Sequence, residues 1–138
     1  LLPGTAIQFD TGDEKSVGVR IRKQANGHFM AQAQANGAKI NMIIDTGAST
    51  IVLNPTDAAR AGIKLDTLRY SVPVQTANGT SFAAPVRLTN VSIGAVSIDN
   101  VEALVTKPGT LRESLLGMSF LSRLRSYEFS GDFLTLRS

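Results

Sequence analysis

From residue 17 the chain alternates. Val17, Val19 and Ile21 stand against Gly18, Arg20 and Arg22, the period-two pattern of a strand with one buried face. Before it, Pro3, Gly4, Thr11, Gly12, Asp13 and Glu14 break any period, so residues 1–16 read as a flexible polar lead-in and 17–138 as the folded domain. Asn26-Gly27 and Asn36-Gly37 are hairpin-turn dipeptides, since tight reverse turns need positive φ at their central positions. They bracket a strand over 28–34, and another over 39–44 follows. An apolar run is then interrupted by Asp45-Thr46-Gly47 and resumes at Ile51-Val52-Leu53.

Asn54-Pro55 starts a short helix over 56–61, with an N-cap side chain and Pro at the first helical position, and Gly62 ends it. A long hairpin over 69–77 and 81–88 is predicted to turn at Asn78-Gly79. Three short strands follow at 91–93, 96–98 and 101–105, then an amphipathic helix over 118–124. Two closing strands are predicted at 126–129 and 133–136 around Gly131. Many short strands, turn signals between them and one or two short helices predict an all-β barrel or sandwich. No internal repeat or interdomain linker interrupts it.

Composition narrows the chemistry. The chain has no cysteine, which excludes disulfides, thiolate metal sites and a cysteine nucleophile. Fourteen Lys and Arg against eleven Asp and Glu leave a net +3, scattered rather than clustered, which reads as a solvated surface and not a nucleic-acid footprint. No apolar run is long enough to cross a bilayer. The first residue is Leu1 rather than Met, from which a processed or truncated product, with a signal or anchor removed upstream, is expected. The single histidine, His28, is placed on a strand between polar turns. With no second His and no Cys it is a poor zinc ligand, and no Gly-x-Ser-x-Gly elbow supports a serine triad. Asn36-Gly37-Ala38-Lys39 lacks the glycine spacing of a phosphate loop. Asp57 and Asp66, flanking the first helix, read as surface charges. No metal or other cofactor is called for.

The carboxylate in Ile43-Ile44-Asp45-Thr46-Gly47-Ala48-Ser49-Thr50-Ile51 needs a reason. Apolar strands on both sides hold it near the core, where an unpaired carboxylate is costly unless it is hydrogen-bonded or its pKa rises. Gly47 and Ala48 let backbone amides approach it, and the Thr46 hydroxyl can bond nearby backbone. The plain alternative is an Asx-type turn. The chain supplies a comparison in Asp10-Thr11-Gly12, the same tripeptide followed by Asp13, Glu14 and Lys15, which reads as a solvated turn. Context, not the tripeptide, distinguishes Asp45.

In that context the segment resembles the active-site loop of retropepsin-like aspartic peptidases. Leu115-Leu116-Gly117 ahead of residues 118–124, about seventy residues after Asp45, is similar to the family's second apolar-apolar-Gly motif and helix. The hairpin over 69–88 occupies the place of its flap. The resemblance covers roughly 17–138 and is greatest to single-lobe bacterial members, including the rickettsial type, which follow a membrane-anchoring segment. It departs at Ser49 and Met118, where retroviral members carry an acid and an Arg that pair, and both halves of that pair are missing together. Two-lobed pepsins carry Ser where Ala48 stands, so a higher working pH than theirs is expected.

The resemblance implies a closed β-barrel with a flap, one lobe per chain, and Asp45 as the catalytic carboxylate supported by Thr46, Gly47 and Ala48. Ile43, Val74, Asn78, Gly79, Phe82 and Leu115 are candidates for substrate contact, although each apolar one is equally a plain core residue. Peptide hydrolysis by this chemistry needs two carboxylates sharing a proton. One Asp per chain therefore implies a homodimer with the pair on its axis. Thr46 would grip the opposite loop, and residues 126–129 and 133–136 would complete the interface. The substrate expected is a polypeptide, and the site expected is the bacterial cell envelope, as the soluble domain of an anchored precursor. The rival reading is a catalytically silent dimeric module that binds peptides. A structural domain with a fortuitous motif would leave Leu115-Leu116-Gly117 at its spacing unexplained.

Overall fold

A computed structural model describes the backbone of residues 6–10 and the whole of residues 17–138. The elements run β1 (Ala6–Asp10), β2 (Val17–Arg22), β3 (Met30–Ala35), β4 (Ala38–Ile44), β5 (Ile51–Leu53), α1 (Pro55–Arg60), a 3₁₀ turn (Leu65–Thr67), β6 (Val72–Thr76), β7 (Gly79–Ile93), β8 (Val96–Val105), β9 (Ser114–Leu116), α2 (Met118–Leu121), β10 (Ser126–Ser130) and β11 (Phe133–Arg137).

Neighbouring strands follow β3-β4-β9-β5-β8-β7, and β7 pairs back onto β3 through Gln34↔Ser92 and Ala35↔Val91. These six strands form a closed barrel, and β6 extends β7 beyond it as a hairpin. Closure is secured at the β3–β4 turn, where Asn36 (φ +51°) and Gly37 (φ +82°) both take the left-handed conformation a two-residue hairpin requires. The Asn36 amide then ties three segments: Oδ1 accepts the Thr89 N–H at 2.8 Å, Nδ2 donates to the Ala61 carbonyl at 3.0 Å, and its backbone N–H donates to the Asn90 carbonyl at 2.9 Å. The dipeptide predicted as a turn is thus also the barrel's seam.

A second, four-stranded antiparallel sheet has the order β1-β2-β11-β10. Val19, Ile21, Leu134 and Leu136 are fully buried, so its inner face joins the barrel in one core. Residues 6–10, read from the sequence as part of the lead-in, are the strand paired with β2. The rest of that stretch lies outside the described residues.

Several expected boundaries move. The three strands predicted over 91–105 are the far half of β7 and one continuous β8. The gaps left at 89–90 and 99–100 are bridged: Asn90 Nδ2 donates to Asp99 Oδ1 (2.8 Å) and Ser97 Oγ (2.7 Å) across the ladder. Asn100 is left-handed (φ +54°), and the Arg123 guanidinium donates to its carbonyl and to that of Asp99. The hairpin turns at Ala77–Asn78 rather than Asn78–Gly79, since Thr76 pairs with Gly79, whose φ of +107° suits glycine. α2 is one turn, stopping at Leu121. α1 matches its signals, with Asn54 Oδ1 accepting the Asp57 N–H at 2.8 Å.

Candidate active site

The loop carrying Asp45 leaves β4 and returns as β5, with β9 held between the two. Ile43 and Ile44 pair in parallel with Leu115 and Leu116, while Val52 pairs with Leu115 from the other side. The loop must therefore arch over the end of β9, and its backbone is stitched to that strand. The Asp45 N–H donates to the Leu116 carbonyl (3.0 Å), and the Met118 N–H donates to the Ala48 carbonyl (2.8 Å). Gly117 sits where the two segments touch, and a Cβ there would overlap the Thr50 and Ala48 carbonyl oxygens. Steric exclusion explains glycine at this position.

Asp45 is half-buried. Its Oδ1 accepts the Gly47 N–H at 2.9 Å, and its carbonyl accepts the Ala48 N–H at 3.2 Å. Backbone hydrogen bonding thus holds one oxygen of the carboxylate in place. Any Cβ on Gly47 would stand 3.2 Å from Asp45 Oδ1, a tight contact on the bonded oxygen. Thr46, Gly47 and Ser49 are exposed in the protomer, and no described residue bonds the Thr46 hydroxyl or Asp45 Oδ2. The loop thus presents a fixed carboxylate with one oxygen free, beside an unengaged hydroxyl.

Ile43, Leu115 and Val52 form a half-buried row across β4, β9 and β5, so two of the predicted contact residues flank the loop and Val52 joins them. Sequence inspection passed over Val52, although its place two residues before the helix cap marks the same strand. The other four predicted contacts stand on the β6–β7 hairpin: Asn78 and Gly79 at its exposed tip, Phe82 44% exposed, and Val74 half-buried. They share no hydrogen bond with the Asp45 loop within the protomer.

Ser119 also went unnoticed in the sequence. Its Oγ accepts the Ile51 N–H (2.9 Å) and donates to the Glu102 carbonyl (2.7 Å), which fixes the strand leaving the loop to β8. Only the fold brings these groups together, so no local signal could have found it. At the two positions where retroviral relatives pair an acid with Arg, Ser49 is exposed and Met118 is half-buried with its sulfur 3.9 Å from the Tyr127 hydroxyl.

Asp57 requires a correction. It is not a surface charge but 9% exposed, with Oδ2 accepting the Ser114 hydroxyl at 2.7 Å. Ser114 Oγ also accepts the Asn54 N–H (3.2 Å), and Asn54 Nδ2 donates to the Arg112 carbonyl (3.0 Å), so this knot anchors the start of β9 to the start of α1. Arg60 adds a longer contact at 3.6 Å. Asp66 is exposed, as predicted. Asp10 is the last residue of β1 rather than part of a turn; Thr11 and Gly12 lie outside the described residues. His28 is exposed in a loop before β3, not on the strand. Among the described residues, no cluster of three or more His, Cys, Asp or Glu could hold a metal ion.

Comparisons with known proteins agree with this geometry. The model of the family described as "gag-polyprotein putative aspartyl protease" matches residues 31–123. An uncharacterized protein of a Sinorhizobium species is 44% identical over 137 residues, covering 99% of this chain and 58% of its own length. An uncharacterized protein of Rickettsia prowazekii is 40% identical over 136 residues, with 99% and 56% covered. The chain thus spans somewhat over half the length of these curated relatives. The crystal structure of a retropepsin-like aspartic protease from Rickettsia conorii superposes with a TM-score of 0.82 at 34% identity, covering 96% of this chain and 95% of that one.

Proposed function

Because the chain belongs to this gag-type aspartyl protease family and has the retropepsin-like fold, we propose that two copies form an aspartic endopeptidase with Asp45 and its symmetry mate as the catalytic pair. One observation carries the reading: each protomer presents a fixed carboxylate with a free oxygen and an unbonded Thr46, which is half of a site. One carboxylate takes a proton from a water as its oxygen bonds to the peptide carbonyl carbon. The other, protonated, donates to the carbonyl oxygen. Collapse of the tetrahedral species breaks the C–N bond as the nitrogen takes a proton from the pair. Two carboxylates this close cannot both ionise, so they titrate as a unit; aspartic proteases are a standard example of this behaviour.

The dimer surface is supported by β10. It is the edge of the second sheet, and Phe129 on it is 48% exposed, stacked edge-on against Phe29 at 5.2 Å between centroids. The Phe29 carbonyl accepts the Ile44 N–H beside Asp45 (2.8 Å), so the edge and the loop are neighbours on one surface. An unpaired edge is a ready template for a second copy. In β11, by contrast, Leu134 and Leu136 are already buried within the protomer, so β10 supplies the exposed apolar surface of this proposal. In the proposed dimer Thr46 bonds the opposite loop. The β6–β7 hairpin acts as a flap over an extended peptide, with Val74, Asn78, Gly79 and Phe82 facing it, and Ile43 and Leu115 beneath. Attachment to an envelope membrane through a preceding segment is carried by resemblance alone, and fractionation of cells expressing the full-length protein tests it.

The test is cleavage of a denatured protein at about pH 5–6 by wild type and Asp45→Asn. Loss in the variant, with unchanged circular dichroism, supports the reading. Equal silence from both, at concentrations where sedimentation shows a dimer, moves it to a silent peptide-binding module.

A further inference from the structure

Three hollows on the protomer surface meet at one side chain. One of about 520 Å³ is lined by Ile63, Leu68, Arg69 and Val86 among others. The next, about 370 Å³, includes Thr50, Val86 and Glu102, and a third of about 280 Å³ includes Ser119 and Arg123. Arg87 lines all three. Strand register explains the junction. Ile51 pairs in parallel with Ala103, and Arg87 pairs antiparallel with Glu102, so Thr50, Glu102 and Arg87 fall in one row across β5, β8 and β7. Two strand spacings put Arg87 about 10 Å from Thr50, a distance an extended peptide covers in roughly three residues. Thr50 is five residues past Asp45, just before β5. A peptide held at Asp45 and running outward past Thr50 enters this groove.

Its charge is one-sided. The Arg69 guanidinium makes no ion pair or hydrogen bond with any described residue. Arg87 faces Glu102 at 3.6 Å, but the two side chains are 64% and 69% exposed, so their pairing contributes little and can be exchanged for another carboxylate. Arg123 is committed to the Asp99 and Asn100 carbonyls, and Glu102 is the sole acid among the lining residues. Apolar walls from Ile63, Leu68 and Val86 would cover the stem of a bound side chain.

We propose that this groove is a distal subsite that selects an acidic side chain a few residues from the scissile bond, through Arg87 and Arg69. The inference rests on the reading of Asp45 as the centre of a peptide-binding cleft. In a two-fold dimer the partner offers the same groove to the other end of the substrate, so acidic residues on both flanks are selected.

The experiment uses two peptides sharing one central sequence, flanked at the distal positions by Glu or by Ala. Their binding to the Asp45→Asn protein is measured by fluorescence anisotropy, which needs no cleavage. The Glu-flanked peptide is expected to bind about fivefold more tightly at low salt, and the advantage should shrink as salt screens it. The double variant Arg69→Gln/Arg87→Gln in the same background should erase the difference, while Arg69→Lys/Arg87→Lys should retain it. Equal affinity for the two peptides, absent binding included, overturns the proposal, as does a difference that survives the Gln pair. If wild type cleaves neither peptide while the Glu preference holds, the catalytic reading fails and the groove stands.

Discussion

Gly117→Ala is the most direct test of how the two motifs are joined. The added Cβ would lie 2.5 Å from the Ala48 carbonyl oxygen and closer still to that of Thr50, whereas real Cβ atoms essentially never come within 3.0 Å. Both obstacles are backbone, so no side chain can swing aside. The loop must move by about half an ångström or more, and the Ala48 carbonyl is the acceptor of the 2.8 Å bond from Met118. Overpacking of this kind costs about 1–3 kcal/mol and the weakened hydrogen bond about 1 more, giving roughly 2–4 kcal/mol in all. For a domain of this size that is a midpoint lowered by about 6–12 °C. Thermal unfolding by circular dichroism at fixed protein concentration measures it, since a dimer's midpoint depends on concentration. Peptide cleavage well below the lowered midpoint should also fall at least tenfold, because the same shift moves Asp45, whose N–H is held by Leu116. Gly27→Ala is the control: its Cβ meets open space and the cost is the left-handed φ of +87° alone, about 1 kcal/mol. A Gly117→Ala protein melting within 2 °C of wild type, by the same assay, would refute the steric argument.

Ser114→Ala should destabilise by about 1–3 kcal/mol in urea unfolding, since it strips the buried Asp57 carboxylate of its hydroxyl donor; an unchanged midpoint would mean that the knot at β9 is slack. Thr106→Val should be neutral or gain up to about 1 kcal/mol, because Thr106 Oγ1 is buried with no partner among the described residues and a methyl fills the same space. A loss above that size would reveal a hidden partner. Specific activity should rise with protein concentration if protomers associate weakly, and sedimentation at matched concentrations checks the cause. Activity should be higher in mildly acidic than in alkaline buffer, because one carboxyl of the pair must keep its proton; a rate still climbing above pH 8 would count against the shared-proton mechanism.

Local chemistry was legible wherever it depended on near neighbours. Asn36-Gly37 wrote its own turn, Asn54-Pro55 its own helix cap, and Val19 and Ile21 their own inward face. The two chemical motifs were legible because apolar residues around a small-residue loop are themselves a local pattern. Even the second glycine could be located, although its reason could not: the Thr50 and Ala48 carbonyls that exclude a side chain come from a segment some seventy residues earlier.

Tertiary structure decided what depends on residues distant in the chain. Asp57 looked like a surface charge because its partner, Ser114, is 57 residues downstream. The far part of the β7–β8 ladder was left with gaps at 89–90 and 99–100, which bonds from Asn90 to Asp99 and from Arg123 to the Asp99 and Asn100 carbonyls span in the fold. Leu134 and Leu136 were apolar enough for either an interface or a core, and the fold puts both in the protomer's own core. Periodicity and nearest-neighbour chemistry gave most of the strands, the first helix and the all-β class, and the resemblance added the closed barrel. The fold alone decided which buried groups satisfy one another and that Arg87 stands where three hollows meet, one of them lined by Thr50, because hydrogen bonds and strand registers between distant segments exist only once the barrel has closed.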